Sequence, residues 1–155
     1  MDAEKGSVAR WGLHCLLRLD RIESGEVLMK EETKMRTTAQ VLVDCLEAEG
    51  VDVIFGIPGE ETLDLMFAIL DSKIRFIPVR HEQGAAFMAD VYGRLTGRAG
   101  VCLATLGPGA TNLITGVADA NSDGAPLVAI TGQVSTDKIH LTAHQFLDLA
   151  KMFEP

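Results

Sequence analysis

A glutamate that directly follows an apolar strand and opens a helix is well placed to exchange a proton with a ligand. Glu82 is such a residue. It lies in Arg80-His81-Glu82-Gln83-Gly84-Ala85-Ala86, just after the apolar run from Ile74 to Val79. A second stretch, Gly107-Pro108-Gly109-Ala110-Thr111-Asn112, makes a glycine-rich turn at another strand-to-helix junction. A carboxylate and an open backbone turn, gathered at one sheet edge, suit a polar heterocycle. Each also has a plainer reading. The helix dipole alone favours an acid in a first turn, and for a lone glutamate that is the commoner reason. In a partly buried cleft the same carboxylate could trade a proton with a ligand nitrogen.

The Gly107-Pro108-Gly109 run can be only a tight turn, or a phosphate cradle at a helix N-terminus. The dinucleotide fingerprint fails, because Asn112 stands where its third glycine belongs. Ile130 and Thr131 occupy the place of the acid expected about 20 residues further on. No G-x-x-x-x-G-K-[ST] run is present, so the turn is not a P-loop. Gly56-Ile57-Pro58-Gly59 reads as junction punctuation. A lone His81 beside a helix start is most simply a polar contact. His140 and His144 are four apart but lack an H-E-x-x-H frame, and Asp119, Asp123 and Asp137 lack ligand spacing. No metal site is expected. Cys15, Cys45 and Cys102 are scattered, which suggests neither zinc nor a disulfide framework. Cys45 and Cys102 read as reduced core residues.

The elements that must position these residues follow from periodicity. Thr37 or Thr38 caps a helix whose stripe is Ala39, Leu42, Val43 and Leu46, ending at Gly50. Val51 to Phe55 is a strand. Leu63, Met66, Phe67 and Leu70 form the next stripe, and Ile74 to Val79 the next strand. Ala85, Met88, Ala89 and Tyr92 form a third stripe that stops near Gly97. Val101 to Leu106 is a strand, followed by a stripe of Ala110, Leu113, Ile114 and Val117. Pro126 to Thr131 is a strand, and a last helix is expected from about Ala143 to Met152. Apolar strands alternating with amphipathic helices predict an α/β fold, a doubly wound parallel sheet with helices on both faces. Crossovers are expected to be right-handed. All strand-to-helix loops then exit at one edge, where open α/β sheets bind ligands. Four loops meet there: Gly56–Glu61, Arg80–Gln83, Gly107–Asn112 and Gly132–Thr136.

The formal charge of −8 argues against a basic nucleic-acid surface. No apolar run reaches the roughly 18 residues of a membrane span. Leu13 to Leu19 is too short and too interrupted for a signal peptide, so the expected location is cytoplasmic. Residues 1–34 show no clear period and read as a poorly ordered N-terminal extension. The folded domain is expected over 35–155, which is long enough to bury a core.

With these elements in place, the motifs resemble a known family. Arg80 to Ala86, followed by Met88-Ala89-Asp90 and Tyr92-Gly93-Arg94, is similar to the glutamate motif of thiamine diphosphate enzymes. Ala104 to Asn112 and Ile130-Thr131-Gly132-Gln133 fit the same family at the same spacing. The catalytic subunit of acetolactate synthase is the nearest type, over roughly Thr37 to Pro155. The resemblance implies the pyrimidine-binding domain of such an enzyme. Glu82 would hydrogen-bond a ring nitrogen of the cofactor's aminopyrimidine and favour the imino tautomer, whose nitrogen deprotonates the thiazolium carbon. Pyruvate would then be decarboxylated and joined to a second 2-keto acid. Pro58, Thr105, Pro108 and Asn112 would line the pyrimidine pocket. Gln83, Gln133 and Gln145 would stand near the substrate entrance. The glycine turn would thus face the pyrimidine, not the diphosphate.

Two departures bear on the acceptor substrate. Glu60-Glu61 stands where the family often has a further glycine. His144 stands where the biosynthetic branch has an aromatic residue, so His144-Gln145 looks more like the catabolic branch. The family's Gly-Asp-Gly diphosphate and magnesium motif is absent from this sequence. Thiamine diphosphate would therefore be shared with a diphosphate-binding domain or subunit, which would also hold magnesium, in a homo- or hetero-oligomer. The central and diphosphate-binding domains are expected to lie outside this chain, which alone should be inactive. FAD is left open, since no residue here supports it. The alternatives are a subunit of a split 2-keto acid decarboxylase and a non-catalytic interaction domain. Retention of the whole pyrimidine-facing set weighs against the second.

Overall fold

Alternation within the central strands decides which side chains enter which core. Ile54, Val101 and Leu103 face one side of the sheet, while Val53, Phe55, Cys102 and Ala104 face the other. All seven are buried, as expected of a parallel sheet covered on both faces. The computed structural model describes residues 35–139 and 141–154. The expectations for 1–34, for Cys15, His140 and Pro155 lie outside these residues.

Four parallel strands form the sheet: β1 (Val53–Gly56), β2 (Arg75–Pro78), β3 (Gly100–Ala104) and β4 (Leu127–Thr131). Their order is β2-β1-β3-β4. The register pairs Ile54 with Phe76 and Val101, and Leu103 with Ile130. Helices α1 (Thr38–Ala48) and α2 (Leu63–Leu70) cover the first face, through Val43, Leu46, Leu65, Ala68 and Ile69. Helices α3 (Glu82–Thr96) and α5 (Ile114–Asp123) cover the second, where Ala85, Ala86 and Ala89 let α3 approach the sheet closely. From β1 the chain crosses to β2 on one side, and from β2 it returns to β3 on the other. The β1–β3 junction is therefore a topological switch point, where α/β sheets open a crevice at the strand carboxyl ends.

Local chemistry sets the helix ends. Thr37 Oγ1 accepts from the Gln40 amide at 3.2 Å, and the Thr37 amide donates to Gln40 Oε1 at 2.9 Å. This reciprocal box fixes the start of α1. Gly97, with φ 68°, caps the end of α3.

Four expectations need correction. Periodicity places the α2 stripe on Leu63, Met66, Phe67 and Leu70, but Leu65, Ala68 and Ile69 are the buried residues. Phe67 is 64% exposed and Leu70 is 76% exposed. A helix that is apolar almost all round offers several stripes, and periodicity cannot choose among them. On α3, Met88 lies on the outer side, and the buried set includes Asp90. The fourth helix is two pieces, α4 (Pro108–Thr111) and α5, because the Leu113 amide bonds the Ala110 carbonyl three residues back. The last helix, α6, is only Leu149–Met152. Gln145 takes φ 56°, which breaks helical geometry, and the Gln133 amide binds the Leu147 carbonyl at 2.9 Å.

Asp90 is the buried acid of α3, and Arg94 satisfies it. Arg94 Nε and Nη2 donate to its two oxygens at 2.8 and 2.9 Å. Nη2 also reaches Asp119 at 3.0 Å, and Nη1 reaches Asp123. These bonds tie α3 to α5. At the opposite edge from the loops, Tyr92 donates its hydroxyl to Asp52 Oδ1 at 2.5 Å. That bond foremost, and then the Arg98 charge, hold the Asp52 carboxyl below its ordinary value. Cys102 is buried, and desolvation pushes its thiol up to about 12.

Candidate active site

Glu82 is the first residue of α3. His81 caps that helix, its Nδ1 accepting from the Gln83 amide at 3.2 Å. The lone histidine thus has a structural task. Asn112 follows α4 and donates its amide to Glu82 Oε2 at 3.0 Å. Both residues are half-buried. One bond therefore joins the first residue of α3 to the junction between α4 and α5. Gly109 sits beside the other oxygen: a Cβ placed there would come 3.3 Å from Glu82 Oε1 and 2.9 Å from Thr105 Cγ2. The absence of a side chain at Gly109 leaves a shallow cradle walled by Glu82 and Thr105. The carboxylate thus has one oxygen engaged by an amide and the other beside the bare Gly109.

Thr105 directly follows β3 and is half-buried. The loop after β1 closes on it: a Cβ at Gly59 would lie 2.3 Å from Thr105 Oγ1. Pro58, just before Gly59, is exposed at the same edge. Pro108 opens α4 after Gly107, whose φ is 58°. Such a φ suits glycine. A Cβ at Gly107 would also meet the Gln145 carbonyl oxygen at 2.5 Å.

The three glutamines are not alike. Gln83 follows Glu82 and is half-buried. Gln145 is exposed and is the one non-glycine residue with positive φ among the described residues. Gln133 turns away from the carboxylate cluster. Its Nε2 donates to the Leu147 carbonyl and its Oε1 accepts from the Val134 amide at 3.0 Å. It lines a cleft of about 610 Å³ beside β4, together with Thr131, Ile139, Phe146 and Phe153. Glu82, Thr105 and Asn112 are not among the walls of that cleft. One member of the carboxylate cluster was not given a role from the sequence. Glu61 accepts a hydrogen bond from Thr105 Oγ1 at 2.7 Å. In the sequence Glu60-Glu61 stands out only as a departure from the family's glycine, with no bond to Thr105 implied.

The profile described as "Thiamine pyrophosphate enzyme, N-terminal TPP binding domain" matches residues 36–152, which include every member of this cluster. The chain belongs to that family. Among curated relatives, it is similar to the catabolic acetolactate synthase of Raoultella terrigena. The two are 51% identical over 127 residues, which is 81% of this chain and 22% of the relative. It is 49% identical to a probable acetolactate synthase large subunit of Methanocaldococcus jannaschii, over 76% of this chain and 20% of the relative. It is 52% identical to an acetolactate synthase of Mycobacterium bovis, over 77% of this chain and 19% of the relative. The chain thus spans about a fifth of the length of these relatives. As in other thiamine pyrophosphate enzyme N-terminal domains, the fold is a parallel sheet flanked by helices. Among the described residues no helix is long and apolar enough to cross a membrane.

Proposed function

We propose that this chain supplies the pyrimidine-binding half of a thiamine diphosphate site in an acetolactate synthase-like enzyme. In that enzyme pyruvate is decarboxylated and joined to a second 2-keto acid. The observation that carries the reading is the Glu82–Asn112 bond at the switch point, with the Gly109 cradle beside it. A carboxylate, an amide and a hydroxyl around a glycine floor match the edge of an aminopyrimidine, which offers both a ring-nitrogen acceptor and an amino donor.

Glu82 is the catalytic residue. With the cofactor bound, its Oε1 would be the atom that holds or gives up the proton toward a ring nitrogen, while Asn112 holds Oε2 and orients the carboxylate. Thr105, Pro108 and Pro58 would line the pocket that holds the pyrimidine. Gln83 and Gln145 stand toward the substrate entrance. Gln133 acts there through the 141–148 segment, which it ties to β4. The cofactor, when bound, supplies the electron sink for decarboxylation. Its diphosphate and magnesium belong to a partner domain or subunit, so the complete site is an assembly. The loop of Glu60 and Glu61 and the His144-Gln145 pair bear on the acceptor substrate, and the latter favours the catabolic type. The cytoplasm is the proposed location.

The test is Glu82→Gln in the assembled enzyme. The variant should keep its fold by circular dichroism and lose at least about 100-fold in turnover, the scale of one general acid–base group. Near-normal turnover with bound cofactor would sink the assignment.

A further inference from the structure

Helix α3 carries an apolar face on each side, and the outer one has no cover among the described residues. Ala85, Ala86 and Ala89 are buried against the sheet. Gly84, Phe87, Met88, Val91 and Leu95 are exposed. Of these, Gly84, Met88, Val91 and Leu95 follow one another at spacings of four, three and four residues. That is the heptad seam of a helix that packs on another helix. The seam bears no charge and runs for about 16 Å, at 1.5 Å per residue. We infer that it is a self-association surface, on which α3 of a second copy of this chain lies antiparallel.

The seam is complementary to itself in that direction. A two-fold axis midway between Met88 and Val91 sets Gly84 opposite Leu95, and Met88 opposite Val91. Leu95 is 81% exposed. A Cβ at Gly84 would meet nothing within 4 Å in its own chain, so the second copy's leucine has a place to enter. Symmetry repeats this fit at both ends of the contact. A parallel pairing would set glycine on glycine and leucine on leucine, with a void at one end and crowding at the other. Antiparallel helices also bring opposite dipole ends together. The formal charge of −8 opposes contact through charged surface. A second exposed apolar group, Leu63, Phe67 and Leu70 on α2, is interleaved with the exposed Asp64. Self-contact there would set like charges together.

A specific dimer buries at least about 1,000 Å², and α5 widens the surface. It lies so close to α3 that a Cβ at Gly116 would come 2.5 Å from Ala86 Cβ. The exposed Thr115, Ala118 and Ser122 of α5 are small, which lets another helix lie near. Arg94 borders both helices and is engaged by Asp90, Asp119 and Asp123, so its charge enters the contact already paired. Glu82 lies roughly 200° around the helix from Gly84, at 100° per residue, and faces Asn112. The dimer therefore leaves the carboxylate cluster open, and the contact does not depend on the pyrimidine site proposed above.

Sedimentation velocity of this chain tests the pairing, with circular dichroism as the check on folding. Wild type should be dimeric at about 50 µM. Gly84→Leu has room within its own chain but meets Leu95 of the second copy at both ends. It should keep the fold and weaken the dimer about 100-fold. Leu95→Ala should weaken it at least about tenfold. Combining Gly84→Leu with Leu95→Ala moves the large side chain across the contact, and should restore the dimer to within about tenfold of wild type. Val91→Asp, at an exposed position, should also yield a folded monomer and serves if Gly84→Leu does not fold. A monomeric wild type, or a dimer indifferent to these changes, overturns the surface. A double variant no tighter than Gly84→Leu alone overturns the antiparallel pairing.

Discussion

The Asn112–Glu82 bond should register as a coupling energy in the stability of this chain. Asn112 Nδ2 and Glu82 Oε2 are 3.0 Å apart, between half-buried residues. A hydrogen bond to a charged group contributes about 1.5–3 kcal/mol when buried, and partial solvation lowers that to about 1 kcal/mol here. Glu82→Ala also removes the acid from the first turn of α3, a further loss of about 0.5 kcal/mol. Asn112→Ala loses the shared bond without the dipole contribution. Each single variant should therefore cost about 1–1.5 kcal/mol, and the double variant clearly less than the two together, with a coupling of about 1 kcal/mol. Urea unfolding of wild type, both singles and the double variant measures it. With a slope of about 1.5 kcal/mol/M, 1 kcal/mol is a midpoint shift of about 0.7 M. Costs that add within about 0.3 kcal/mol would refute the reasoning. The carboxylate would then not be oriented by Asn112, and its geometry at the site would need another source.

Gly107→Ala should destabilise by about 2–3 kcal/mol in the same assay. It places a side chain at φ 58° and drives a Cβ to 2.5 Å from the Gln145 carbonyl oxygen. A cost under about 0.5 kcal/mol would show that the 141–148 segment does not rest on this turn. Asp52 should contribute to acid sensitivity. Its folded pKa is depressed, foremost by the Tyr92 hydroxyl. Its stabilisation is therefore present above the ordinary carboxylate value and is lost as pH falls through the lower folded value. Asp52→Asn should narrow the difference in urea midpoint between about pH 6 and about pH 3. An unchanged difference would exclude Asp52 as a source of that sensitivity. The Glu82→Gln turnover test completes the set.

The parts of the fold that were legible in the sequence are those governed by local rules. Strand runs such as Val101 to Leu106 and the Thr37 start of α1 carry their signals in a few adjacent residues. The four-loop edge followed from the alternation of strands and helices alone. The failures lie where tertiary contacts compete with local ones. The apolar run of α2 left its inward face undecided until the sheet chose Leu65, Ala68 and Ile69. The helix expected from Ala143 gave way to a segment held by Gln133 and broken by the positive φ of Gln145. Asp90 stands in the sequence only as part of a motif; in the fold it is 1% exposed, and Arg94 chelates both its oxygens.

Residue types and spacing by themselves determined that Glu82 opens a helix, that a glycine turn follows the next strand, and that both leave the sheet at one edge. They also carried the family, since motifs in order and register do not depend on coordinates. Only the folded chain decided which atoms meet. It put Asn112 on one oxygen of Glu82 and the bare Gly109 beside the other, and it drew the exposed Glu61 onto Thr105. The reason is the strand order: placing β3 against β1 brings loops distant in sequence within a hydrogen bond of one another. No spacing along the chain records that distance.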